Sequence, residues 1–429
     1  MMNASPERQT PVIITPSPGD TSFPEMIRLD NGVPVFLLGN GTVDLLKVEF
    51  IFNAGQIMER VRLAATTTNA MLTEGTVSHD VATLNDLIDS TGAVFHHMAD
   101  KDSAGLVIVT LPRKLEEVMK LAEEVLFHPS FPQKEFRMIT DKRLQAFLTG
   151  RNKTSVIARE TFYQALCGNS NPYGTINSTE DYLAVTTEDL REFHSQYYRS
   201  ENMYITVAGK DPGQALPVLQ KYFSGSGTGH WSKPVIPPLV FDTARPGVLF
   251  REVKDSVQST VRIGWRGLTR DHSDYQGLQV ATMILGGYFG SRLMRNIREE
   301  KGYTYGIHAV SGAFHGIGYI VIMTDVANIY RDDTLEEIKK EIALLRETEV
   351  GSEEMELVRN HLMGETARMF DGPFAVAEAI RGVIDYDAGM DYFIRFANTV
   401  RTITPGKIKE LFNTYFNTED AFEVIAGAK

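Results

Sequence analysis

Cysteine is nearly absent from this sequence: Cys167 is the only one in 429 residues. A single cysteine excludes an intrachain disulfide and any multi-cysteine metal site. It follows Ala165 and Leu166 in an apolar helical run and reads as a buried, inert thiol. Long hydrophobic runs are missing as well, since no segment approaches the roughly 18 consecutive apolar residues of a membrane span. Cations are outnumbered, with 43 Lys and Arg against 55 Asp and Glu. The resulting net charge of −12 weighs against a nucleic-acid partner, which needs clustered positive charge. The first 26 residues carry prolines at 6, 11, 16, 18 and 24 and lack the basic start and apolar stretch of a secretory leader. The expected location is cytoplasmic, or periplasmic if the N-terminus has been trimmed.

The familiar catalytic signatures are also wanting. Gly286, Gly287 and Gly290 fit neither Walker nor Rossmann spacing. No Gly-x-Ser-x-Gly elbow occurs. His96 and His97 are neighbours in an expected strand, so they point to opposite faces and cannot chelate one ion. His361 and Glu365 share a helical face, a pair that reads as an ordinary surface or core contact. There is no His-x-x-x-His and no Glu-x-x-His.

What is present is a globular composition, 43% hydrophobic and 23% charged, on a chain long enough for two to four domains. Leu29 to Leu38 reads as a hairpin turning at Asp30-Asn31-Gly32. Leu46 to Phe52 alternates like a half-buried strand, and Leu115, Val118, Met119, Ala122, Val125 and Leu126 share one helical face. Glycines 225, 227 and 229 and prolines 234, 237, 238 and 246 then crowd a linker. Beyond it the pattern restarts. Leu190 to Tyr198 aligns with Ile408 to Phe416 at an offset of 218 residues, and Val207-Ala208-Gly209 aligns with Ile425-Ala426-Gly427. The repeat is far longer than a solenoid unit. It predicts an arm over 1–25, a first α+β domain over 26–223, a linker over 224–246 and a second, homologous α+β domain over 247–429. Strands and helices come in runs, which favours mixed, mostly antiparallel sheets with helices packed on them.

Several motifs are similar to those of the pitrilysin/insulinase-type zinc metallopeptidases, in the branch that includes the mitochondrial processing peptidase. They are the Asn31-Gly32 hairpin, Phe52-Asn-Ala-Gly55 with Glu59, Asn171-Pro-Tyr-Gly174, Leu285-Gly-Gly with Ser291-Arg-Leu, and Arg298-Glu-Glu-Lys-Gly-Tyr-Thr-Tyr305. The resemblance runs from about residue 27 to the C-terminus. Active members carry an inverted His-x-x-Glu-His zinc motif ahead of a Gly-Thr pair. Counting back from Gly75-Thr76, the two histidine positions are Thr66 and Ala70, the general-base position is Asn69, and the third ligand maps near Gln145. Such residues cannot hold a catalytic zinc, so the resemblance implies a chain without a cofactor of its own.

The resemblance further implies that Arg298 and Tyr305 match an arginine and tyrosine which two-subunit members present to the zinc of a partner chain. A guanidinium and a phenol can fix substrate carbonyls and stabilise a developing oxyanion. Gly286, Gly287 and Gly290 would form a substrate-contacting loop. The expected function is a non-catalytic subunit of a heterodimeric peptidase, partnered by a zinc-bearing homologue and binding extended peptide. The alternative is a structural or peptide-binding protein without a proteolytic role. A third reading, an independent hydrolase, has the least support.

Overall fold

The computed structural model describes residues 24–225 and 235–429. Most of the expected arm and part of the expected linker lie outside the described residues. The first half builds one sheet from β1 (Glu25–Arg28), β2 (Pro34–Leu38), β3 (Leu46–Phe52), β4 (Val94–Ala99), β5 (Ala104–Thr110) and β6 (Met203–Gly209), in the order β1-β2-β6-β3-β5-β4. The second half builds another from β7 (Gly247–Glu252), β8 (Gln258–Gly267), β9 (Thr304–Phe314), β10 (Ile317–Ala327) and β11 (Phe422–Gly427), in the order β7-β11-β8-β10-β9. Apart from β1, the two orders superimpose. In each sheet one pair is parallel, β2 with β6 and β7 with β11. The remaining pairs are antiparallel. The chain is a mixed α+β fold.

The expected hairpin forms, shifted toward the N-terminus. Its first strand is β1, and Leu29 lies buried within the turn rather than opening a strand. The turn closes through Gly32 N–H to the Leu29 carbonyl at 2.8 Å, with Gly32 at φ 85°, a conformation that suits glycine. A helix over Tyr392–Thr402, absent from the sequence-based expectation, packs through Tyr392, Ala397 and Val400.

Each sheet has helices of its own half on one face. Val48, Phe50, Leu106 and Ile205 pack with Ala65, Leu84, Val118 and Val125 in the first core. Ile263, Trp265, Ile320 and Ile322 pack with Ile338, Ile342, Val358 and Phe412 in the second. The opposite faces are covered by an exchange. The helix Thr154–Cys167 of the first half lays Ala158 and Phe162 against Val321, Phe422 and Val424 of the second sheet. The helix Pro373–Asp385 of the second half lays Val376, Ala377 and Ile380 against Phe36, Ile51 and Tyr204 of the first sheet. Pro373 follows Thr154 by 219 positions, close to the repeat offset, so the same helix is traded in both directions.

This exchange corrects the expectation for Leu46 to Phe52. The strand is buried on both faces, not one. Lys47, Glu49 and Ile51 turn toward the helix Pro373–Asp385, where Lys47 Nζ pairs with Glu49 at 2.8 Å and with Glu378 at 2.9 Å. Thr206 Oγ1 donates to Glu49 at 2.7 Å. Alternation in sequence reports side-chain polarity, and here the polar side is paid for by ion pairing beneath a helix from the other half.

Candidate functional site

The Arg298 segment is fixed from behind. Met294–Glu300 is wound more widely than an α-helix, with Lys301 N–H donating to the Asn296 carbonyl five residues back at 3.1 Å. Such wide turns recur at functional sites. Met294 and Ile297 are buried, and Asn296 Nδ2 donates to Glu341 at 2.7 Å and Glu337 at 3.1 Å. Arg292 forks onto the Glu354 carboxylate through two bonds of 2.9 Å. The Glu354 carboxylate holds this guanidinium above its ordinary pKa. These ties leave Arg298 half-buried, its guanidinium 4.6 Å from the centre of the exposed Phe289 ring. Gly302, at φ 66°, ends the turn.

Tyr305 owes its direction to a bulge. The β9–β10 register slips between Thr324 and Val326, so two residues of β9 oppose one. Thr324 Oγ1 donates to the Thr304 hydroxyl and the Gly306 carbonyl, both at 2.9 Å, while Thr304 Oγ1 donates to the Asp325 carbonyl at 2.8 Å. Thr304 therefore faces the core with Ile307, and Tyr305 is turned to the outer face with His308. It is 93% exposed. Without the extra residue, simple alternation would put Tyr305 on the side of buried Ile307.

The glycines beside this segment serve packing. A Cβ on buried Gly286 would lie 2.8 Å from the Ala309 nitrogen, and one on Gly287 would lie 2.6 Å from Met283 Sδ. A Cβ on Gly290 would meet the Tyr288 ring at 2.8 Å. Tyr288 stacks on His361, ring centroids 4.9 Å apart, and Glu365 pairs with Arg368, so the His361 and Glu365 face is engaged in packing and pairing.

The positions matched to the zinc motif lie on the helix Ala64–Ala70. Glu59 caps its start, accepting from Leu63 N–H and Ala65 N–H at 3.2 Å each. Burial pushes the Glu59 carboxyl up to about 7. Asn69 is 1% exposed and donates inward to the Gly105 carbonyl at 2.8 Å and to Tyr198 Oη at 3.2 Å. Ala70 offers no donor atom. Thr66 and Thr67 accept from Arg143 Nη2 and Nη1 at 2.6 and 2.5 Å. Gln145 is exposed, two positions further along the helix Gln133–Gly150. The helix phase therefore sends Arg143, not Gln145, toward the helix Ala64–Ala70. Two hydroxyls occupied by a guanidinium, an inward-turned amide and a methyl do not make a zinc site. Among the described residues no group of three or more His, Cys, Asp or Glu could hold a metal ion, and no helix is long and apolar enough to cross a membrane.

The fold and these positions can now be set beside known proteins. Residues 184–362 match the family described as the peptidase M16 inactive domain. The uncharacterized zinc protease YmxG of Bacillus subtilis is 23% identical over 342 residues, covering 78% of this chain and 81% of that one. The crystal structure of a peptidase M16 inactive domain from Pseudomonas fluorescens superimposes with a TM-score of 0.85 at 22% identity, covering 95% of this chain and 98% of that chain.

The chain is similar to the M16 peptidases.

The periplasmic protease PqqL of Escherichia coli is a longer relative in fold. It matches all of this chain with a TM-score of 0.77 at 12% identity, but only 49% of its own length is used. The similarity to M16 peptidases agrees with the resemblance read from the sequence. Arg143 and Phe289 were missed by that reading. Nothing local in the sequence announces the contact of Arg143 with Thr66 and Thr67 or that of Phe289 with Arg298.

Proposed function

We propose that this chain is the non-catalytic subunit of a two-chain M16 peptidase, lining the peptide chamber and presenting Arg298 and Tyr305 to a zinc held by a homologous partner. The observation that carries the reading is Tyr305, a large aromatic side chain turned by a bulge into solvent while Thr304 beside it faces the core. An exposed phenol that a fold takes trouble to aim is more useful to a second molecule than to its own chain. Arg298 is held nearby in sequence on a wide helical turn and supplies a planar, permanently charged donor. PqqL, a single chain with about twice this length, supports the view that one such unit is half of an assembly.

The test is reconstitution with a zinc-bearing M16 homologue and assay of peptide cleavage. Tyr305→Phe and Arg298→Ala should each lower kcat by roughly 100- to 1,000-fold, the range for losing one oxyanion donor. Tyr305→Phe should leave folding within about 0.5 kcal/mol, as for an exposed position. The structural reading would take its place if a stable complex forms and both variants cleave at the rate of the parent.

A further inference from the structure

We propose that Arg143 is a built-in replacement for the zinc ion: its guanidinium supplies, at the lost metal position, the positive charge and the cross-link that the metal supplies in active M16 chains. This inference rests on matching residues 66 and 70 to the zinc motif. It does not depend on whether a catalytic partner exists.

Three observations converge. Arg143 lies on the helix Gln133–Gly150, where the third ligand is expected, and reaches across to the helix that carries the motif. Its two terminal nitrogens donate to Thr66 and Thr67 at 2.6 and 2.5 Å, so one group ties both helices as a coordinated ion would. The donor chemistry has changed in step. Imidazole nitrogens that bind a cation directly are replaced by a hydroxyl, which accepts hydrogen bonds from one, and by a methyl, which leaves room.

Arg143 brings a permanent positive charge to this position, because a guanidinium stays protonated in proteins, and Glu59 is one of its electrostatic partners. A neutral residue at 143 would leave two part-buried hydroxyls and the Glu59 carboxyl facing space that a cation formerly filled.

Zinc binding discriminates this from a chance contact. In the full-length chain, Thr66→His/Ala70→His with Arg143 in place should bind Zn2+ no better than the parent in competition with a chromophoric chelator. Adding Arg143→Glu should tighten binding at least tenfold, and adding Gln145→Glu instead should not. Equal affinity with and without Arg143, or a stronger gain from Gln145→Glu, would overturn the proposal. Should the histidine variants fail to fold, single substitutions still decide it. Amide exchange in Ala64–Ala70 should quicken at least tenfold in Arg143→Met, recover in part in Arg143→Lys, and stay unchanged in Gln145→Met. Parent-like exchange in Arg143→Met would equally sink the idea.

Discussion

Replacing Lys47 by methionine should weaken the seam between the two halves more than almost any other single change on β3. Lys47 and Glu49 side chains are 8% and 1% exposed and lie 2.8 Å apart. Methionine keeps the length and most of the apolar stem, so the loss is electrostatic. It leaves the Glu49 carboxylate buried with the Thr206 hydroxyl as its remaining neutral donor. Breaking a buried pair from one side costs about 3–5 kcal/mol. The Glu378 arm adds little, because that side chain is 67% exposed and such pairs contribute about 0–1 kcal/mol. The double variant Lys47→Met/Glu49→Gln removes both charges yet keeps an acceptor for Thr206, so it should recover most of the loss. Native-state hydrogen exchange of the β3 amides reads the opening free energy at this strand without assuming that the whole chain unfolds in one step. A cost below about 1 kcal/mol for Lys47→Met, or no recovery in the double variant, would refute the account of a desolvated, charge-compensated seam.

Other expectations follow from the same kind of reasoning. Burial raises Asp385 to about 6, although Tyr204 Oη donates to it at 2.6 Å. A folded carboxyl with a raised pKa binds its proton more tightly than the unfolded one. Stability from this group is therefore full below about pH 4 and falls away as pH rises toward 6. Asp385→Asn keeps the acceptor for Tyr204, so its advantage over the parent in urea denaturation should grow between pH 4 and 7. Gly286→Ala should lower the melting temperature, because the new Cβ meets backbone at 2.8 Å and the Ala309 strand cannot yield as a side-chain tip would; overpacking of this kind costs about 1–3 kcal/mol. Cys167 is buried and its thiol is pushed up to about 12 by burial. A thiol reagent at pH 8 should label it only as the chain unfolds.

Much of the fold was legible because it is written in local patterns. The strand Leu46–Phe52, the helix through Leu115 and Val125, and the restart after the linker all declare themselves by period and spacing. The Arg298-to-Tyr305 motif was legible as well, together with the glycine that separates its two members. The outward aim of Tyr305 was not, since it arises from a register slip against β10, a strand some twenty residues away. Arg143 was missed by two positions for a related reason. A count along the chain fixes which helix faces the motif, but only the packing of two helices fixes which side of it does so.

The sequence by itself determined that this chain has two similar α+β halves and that positions 66, 69 and 70, being Thr, Asn and Ala, offer neither imidazole nor carboxylate. Side-chain chemistry and spacing are enough for both conclusions. Only the tertiary structure decided that the halves trade a helix, that β3 is buried on both faces, and that the Arg143 guanidinium reaches Thr66 and Thr67. Those are contacts between residues far apart in the chain. They depend on which surfaces meet, and no local pattern carries that information.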